Sequence, residues 1–233
     1  MACWGKGMRF GFGFRCATVT DRCHGGAMCW SATADLVAGA GIAGVGVACV
    51  ARVRRVGDLP MASVPLLLGA HQLIEARVWQ VDGGTGPATV VWAVIALPLL
   101  AAWVPLAVLC AVPRRAWGRL AVPVVCGVVT AGVMAYAIAT RPVRAEIRGH
   151  TVGYVLGLPH TEVLIAGYLL ATVGALLLSG DRWLFGFGAL AAVGALACWA
   201  MWRLEFVSTW CAFAAVCSLV VFGWVRRRSA YSP

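Results

Sequence analysis

The feature that most constrains this sequence is a succession of apolar stretches, each about as long as a membrane-spanning helix, which needs about 20 mainly apolar residues. They lie at about 32–51, 61–81, 88–112, 119–140, 161–179, 183–201 and 205–225. The apolar run from 183 to 225 is about twice the length of one span, so the chain must turn back near residues 202–206. The sequence therefore predicts an all-α integral membrane bundle of seven transmembrane helices.

Composition excludes several other classes of protein. Hydrophobic residues make up 61% of the 233 residues and charged residues only 12%, whereas a soluble domain is about one-quarter charged. A water-soluble enzyme and a disordered chain are both excluded. The net charge of +10 would suggest nucleic acid in a soluble protein, but the arginines lie mostly at the ends of apolar stretches. They indicate contact with membrane lipid, and we expect no nucleic-acid partner.

The distribution of arginines predicts the orientation of the bundle. The joints after the first, third and fifth stretches and the C-terminus hold most of them, namely Arg52, Arg54, Arg55, Arg114, Arg115, Arg119, Arg182, Arg226, Arg227 and Arg228. Since arginine-rich loops face the cytoplasm, we expect the N-terminus outside, the C-terminus inside and a location in a bacterial inner membrane. The basic residues of the first 27 positions argue for the opposite orientation.

The two ends of the chain differ from the apolar region. Residues 1–27 are glycine-rich and basic, and they form either a flexible tail or an upstream extension that precedes a start at Met28. Residues 28–228 form the transmembrane domain, and residues 229–233 form a short cytoplasmic tail.

The second apolar stretch contains the most informative polar residues. Glu75 lies four residues after His71 and three after Gln72, so all three share one face of a helix. An ionised group in the membrane interior is unfavourable by about 2.5–3.5 kcal/mol and normally faces the bundle interior with a partner. Two interpretations stay open: a hydrogen-bonded group that locks this helix in place, or a site for a proton, an ion or a ligand.

Other polar residues are expected at the same outer level. Arg203 and Ser208 lie at the start of the seventh stretch, and we place them beside Gln72 and Glu75 in an outward-facing polar pocket. The connection 141–160 is the longest on this side. It forms either an ordered surface loop or a lid over the pocket.

A metal site is the alternative interpretation of the same region. His71 and Glu75, together with His160 and Glu162, would supply enough nitrogen and oxygen ligands for zinc or a similar ion. No H-E-x-x-H motif is present, and the two halves come from different helices. The primary expectation is therefore no metal and no cofactor. Nucleotide-binding and serine-hydrolase motifs are also missing from the sequence.

Four segments together resemble a family of uncharacterised bacterial multi-pass membrane proteins, a domain of unknown function. They are MCWSATADLVAG at 28–39, LPMASVPLLLGAHQLIEARVW at 59–79, GYLLATVGALLLSGDRW at 167–183 and WRLEFVSTWCAFAAVCS at 202–218. The matching motifs are an MC-aromatic-SATAS start, a Q-x-x-E motif at Gln72 and Glu75, and STWCAFAA in the seventh helix. Many members carry glutamine at the position of His71, which argues against a strict metal ligand there. The resemblance implies a seven-helix membrane fold and no particular reaction.

The sequence supports three functional hypotheses. The first is a protein that binds, senses or transports a small ligand, an ion or a proton, with His71, Gln72, Glu75, Arg203 and Ser208 at the site. The second is a membrane-embedded metal-dependent hydrolase that acts on a lipid-like substrate. The third is a non-catalytic accessory subunit or homo-oligomer, whose small-residue ridges, such as Ala40, Gly44 and Ala48, pack against partner helices. Whether the protein is an enzyme is left open.

Overall fold

The computed structural model of the protein describes residues 32–148, 151–158, 160–201 and 206–230. Of these residues 82% are helical, in seven helices. The predicted N-terminal tail, 1–27, residues 231–233 of the predicted C-terminal tail and the predicted site residue Arg203 lie outside the described residues.

The seven helices follow the predicted apolar stretches closely. We label them α1 to α7, and they are Ala32–Ala51, Leu59–Ala62 continued by Val64–Gln80, Pro87–Ala111, Trp117–Thr140, Thr161–Leu177, Arg182–Met201, and Phe206–Cys217 continued by Leu219–Ala230. Single 3-10 turns, Val56–Asp58 and Arg114–Ala116, precede α2 and α4. Five of the helices, α1, α3, α4, α6 and α7, are long and apolar enough to cross a membrane.

The outer surface of the bundle is apolar, as expected of a protein in lipid. On α4, Val122, Val125 and Val129 are each 60% exposed, and on α6 Val193 and Leu196 are exposed to a similar degree. Their spacing of three and four residues places each set on one helix face. A soluble protein rarely exposes apolar faces of this extent, so the described surface supports a membrane protein.

Glycines permit a close helix contact between α1 and α2. A Cβ on Gly46 would overlap the backbone of Leu66, and a Cβ on Gly69 would overlap the backbone of Ala43. The predicted ridge of Ala40, Gly44 and Ala48 does not make this contact, because nothing lies within 4 Å of a Cβ placed on Gly44. The packing ridge is thus displaced by two residues from the predicted one, to the face that carries Gly46.

Pro98 distorts α3 near its middle. The residues Ile95–Leu99 form one π-helical turn around it, because proline has no N–H to donate and its ring displaces the preceding turn. The carbonyl oxygen of Ala96 accepts a hydrogen bond of 2.7 Å from the hydroxyl of Tyr168 on α5. The proline therefore helps to join α3 to α5.

The fold is not entirely helical, because a β-hairpin occupies the connection between α4 and α5. Strands β1 (Arg144–Arg148) and β2 (Thr151–Val155) pair antiparallel, with Ala145 opposite Tyr154. Gly84, in the loop between α2 and α3, adds a bridge to Ala145. The sequence prediction of a surface loop or lid missed this hairpin. Its inner face contains the buried residues Ala145 and Val152, so it is packed as part of the core.

Partly buried ion pairs join three chain segments at the other end of the bundle. Arg228 of α7 pairs with Asp58 at 3.0 Å, and Arg227 pairs with Asp181 at 3.3 Å. Burial raises the pKa of Asp58 from its ordinary value, while the charge of Arg228 opposes this shift. These contacts bring the arginine-rich C-terminus to the joints that follow the first and fifth helices, at one end of the bundle.

Candidate functional site

The candidate site is centred on the carboxylate of Glu75, which is completely buried in α2. The indole Nε1 of Trp92 on α3 donates a hydrogen bond of 3.1 Å to Oε2. The hydroxyl of Ser208 on α7 donates to Oε1. Ser208 and Trp92 are themselves buried. One carboxylate thus connects three helices, and each of its oxygens has a donor, as a buried charged group requires.

His71 and Gln72 lie one helical turn before Glu75 and are equally buried. The amide Nε2 of Gln72 is 3.3 Å from Nδ1 of His71, within hydrogen-bond distance. The opposite ends of the two side chains, Nε2 of His71 and Oε1 of Gln72, have no hydrogen-bond partner among the described residues. Polar atoms buried without a partner are rare in folded proteins, so these two atoms are a part of the core with hydrogen-bonding capacity to spare.

Two aromatic contacts surround this polar group. The ring of His71 lies 4.8 Å from that of Trp92, with a tilt of 43°. On β2, the ring of Tyr154 stacks on Trp92 with 3.4 Å between centroids and an angle of 4°. The hairpin therefore reaches Glu75 through one intermediate side chain, since Trp92 contacts both Tyr154 and Glu75.

Tyr154 also lines a cleft. Its walls come from α3, α4, the end of the hairpin, α5 and α7, and include Leu97, Met134, Tyr154, Gly157, Ile165 and Phe206. Burial raises the pKa of the Tyr154 phenol well above its usual value, and the charges of Glu75 and Asp35 raise it further. Tyr154 is therefore a neutral phenol at physiological pH. It lines the cleft and stacks on the indole that donates to the buried carboxylate.

The structure brings together some of the predicted site residues and separates others. His71, Gln72, Glu75 and Ser208 lie together in the bundle core. His160 and Glu162 lie exposed at the start of α5. In the described part of the chain, no three side chains of His, Cys, Asp or Glu are grouped so that they could hold a metal ion. The four-residue ligand set of the metal hypothesis is therefore not assembled.

Sequence reasoning did not assign Trp92 and Tyr154 to the site. The position of Trp92 near the outer end of α3 is typical of an interfacial tryptophan, but the side chain is completely buried. A signal for Tyr154 was present, because the apolar residue Val152 lies two positions before it in Thr151–Val155, the spacing that shares one face of a strand. That pattern predicts a strand with Val152 and Tyr154 on one face. It does not predict what this face contacts.

Comparison with known families gives a match over most of the chain. A family model described as "Family of unknown function (DUF6629)" matches residues 28–233. No curated protein and no solved structure is similar enough to the chain to match. The comparisons therefore agree with the family resemblance predicted from the sequence, and they bring no activity with it.

Proposed function

The chain belongs to DUF6629, a family of unknown function, and from the geometry around Glu75 we propose that it binds a proton, an ion or a small polar ligand there. In this proposal it is a multi-pass protein of a bacterial inner membrane. All seven helices cross the membrane, with the N-terminus outside and the C-terminus in the cytoplasm. The gathering of the arginine-rich joints around Asp58 and Asp181 at one end supports this orientation.

The observation that carries the proposal is the pair of hydrogen bonds that Glu75 accepts from two other helices. An ionised carboxylate only accepts hydrogen bonds, whereas a protonated one also donates, and an indole N–H only donates. A proton on Oε2 would therefore compete with the Trp92 bond, while Ser208 can reverse its role. A change of charge at Glu75 would then weaken the contact between α2 and α3 and leave the contact to α7. This is how binding would be converted into a change of conformation.

The static alternative assigns the same contacts a structural role only. Glu75 would then keep one charge state and lock α2 between α3 and α7, and the protein would act as an accessory subunit. The two alternatives differ in one measurable property, which is whether the protonation of Glu75 changes while the protein stays folded.

Infrared difference spectroscopy of the full chain in phosphatidylcholine vesicles tests this property. We expect a carboxyl C=O band that grows as the pH is lowered, shifts in D₂O and disappears in Glu75→Gln. The matched control is Glu162→Gln, which alters an exposed glutamate at the start of α5 and should keep the band. If no band depends on Glu75 over the whole pH range in which the protein stays folded, the static role is established.

Transport and sensing are separated by a second measurement. Vesicles loaded with a pH-sensitive dye report proton flux after an external pH jump. If the protein transports protons, the flux exceeds that of protein-free vesicles and is lost in Glu75→Gln. If the infrared band is present without flux, Glu75 responds to protons without carrying them across.

A further inference from the structure

The two unpartnered atoms beside Glu75 have complementary chemistry. When Gln72 Nε2 donates to Nδ1 of His71, the neutral ring carries its proton on Nε2, so this atom is a donor without an acceptor. Oε1 of Gln72 is an acceptor without a donor. If the amide is turned around, the roles exchange, but one donor and one acceptor are still left.

Leaving both atoms unsatisfied would be costly in a bundle core. A buried donor or acceptor without a partner destabilises a protein by about 1–3 kcal/mol. No side chain among the described residues supplies a bond to either atom. A water molecule accepts one hydrogen bond and donates others, and buried waters typically satisfy such groups with two to four bonds.

We infer that His71 and Gln72 hold a buried water molecule, and that this water is part of the route by which protons reach Glu75. The inference rests on the proposed function, because it concerns how Glu75 is loaded. The residues are three and four positions before Glu75 on the same face of α2. The ligand class of this site is therefore water or hydronium.

Tyr154 supplies the outer end of the route. Its ring lines the cleft and stacks on Trp92, while its hydroxyl is buried without a hydrogen-bond partner among the described residues. A neutral phenol both donates and accepts. In this route each proton transfer, from the Tyr154 hydroxyl to the water and from the water to Glu75, forms one O–H bond on the accepting oxygen and breaks one on the donating oxygen. A proton from the cleft then replaces the one that Tyr154 gave up. Only Glu75 changes its net charge.

Other titratable groups of the described bundle lie within electrostatic range of this relay. Asp35 of α1 acts on both Glu75 and Tyr154, and Cys211 of α7 acts on Tyr154. On α2 itself, His71 is the buried titratable group beside Glu75. These charges influence how readily Glu75 holds a proton, so the test must separate the rate of proton transfer from its equilibrium.

The rate of hydrogen–deuterium exchange at Glu75 provides this separation. The full chain in phosphatidylcholine vesicles is moved into D₂O, and the shift of the Glu75 C=O band is followed in time. We expect exchange to slow at least tenfold in the double variant His71→Phe/Gln72→Leu and in Tyr154→Phe. In Tyr154→Phe the pH midpoint of the Glu75 carboxyl band should stay unchanged. Tyr136→Phe alters a tyrosine that is 71% exposed and is the matched control.

Exchange rates equal to those of the wild type, in variants of unchanged helical content, would overturn the inference while the proposed function stands. If Glu75 shows no titrating band, the proposed function fails, and the proton route fails with it. The water itself is tested on the unaltered protein in H₂¹⁸O. A buried-water O–H band that shifts with ¹⁸O and disappears in the double variant would support the water site. If the unaltered protein shows no such band, the water site is overturned, whether or not the double variant folds.

Discussion

Trp92 of α3 and Glu75 of α2 are joined by a hydrogen bond of 3.1 Å in the core of the bundle. The same indole ring carries the stacked ring of Tyr154 on its face. Trp92 therefore links the buried carboxylate to the hairpin that closes this end of the bundle. A proton on Oε2 would compete with this hydrogen bond, because an indole N–H only donates.

Removing the donor while keeping an aromatic ring should weaken the bundle measurably. In Trp92→Phe the Oε2 atom of the completely buried Glu75 loses its partner, so we expect a loss of about 1–3 kcal/mol in the free energy of unfolding. Denaturant unfolding in detergent micelles, followed by circular dichroism, measures it. Tyr136→Phe, at a side chain that is 71% exposed, should change stability by no more than about 0.5 kcal/mol.

Substitutions of Glu75 itself should depend strongly on the size and polarity of the replacement. Glu75→Ala leaves Trp92 and Ser208 without an acceptor and opens a cavity, so we expect a loss of about 2–5 kcal/mol. Glu75→Gln keeps the volume and one carbonyl acceptor, and should be less destabilising by at least about 1 kcal/mol. Equal losses in the two variants, measured by the same unfolding assay, would contradict the hydrogen-bonded geometry.

The pH dependence of stability should reveal the buried phenol of Tyr154. Since burial raises its pKa in the folded state, the unfolded chain loses this proton first, near pH 10. Stability is then unaffected by Tyr154 below about pH 10 and falls above it by about 1.4 kcal/mol per pH unit. Unfolding measured between about pH 9 and pH 11 should show this fall, and Tyr154→Phe should reduce its slope. An unchanged slope in that variant would show that Tyr154 is not buried as described.

Two glycines provide a matched test of the contact between α1 and α2. Gly69→Ala places a Cβ against the backbone of Ala43, and forcing the helices apart should destabilise the bundle by about 1–3 kcal/mol. Gly44→Ala meets nothing within 4 Å, and alanine favours a helix over glycine by about 0.5–1 kcal/mol. We therefore expect opposite signs for the two variants in thermal unfolding. The same sign for both would contradict the position of the packing ridge.

The ion pairs at the other end should be sensitive to Arg228. Arg228→Met leaves the buried carboxylate of Asp58 without its 3.0 Å partner, and we expect a loss of about 3 kcal/mol. A second substitution, Asp58→Asn, should restore part of that stability, because it removes the unpaired charge. Arg226→Met changes an exposed arginine nearby and should have little effect on unfolding. Additive effects of Arg228→Met and Asp58→Asn would contradict a direct pair.

The positions of the helices could be predicted from the sequence because they depend on a local property. An apolar stretch of about 20 residues forms a helix in lipid whatever its neighbours are, since its backbone must satisfy its own hydrogen bonds there. The same argument placed the turn before α7 near residues 202–206. Glu75 could also be identified from the sequence alone, because an ionisable residue is rare in such a stretch.

The partners of Glu75 were decided by tertiary structure. Ser208 lies 133 residues from Glu75 along the chain and was assigned to its neighbourhood only by a shared depth. The rotation of each helix about its axis determines which side chain meets the carboxylate. For α1 and α2, this rotation depends on the close contact at Gly46 and Gly69, which are far apart in the sequence. Tyr154 is the clearest case. Its strand pattern is local, but its stack on Trp92 depends on how the hairpin folds back over the bundle, which no local pattern specifies.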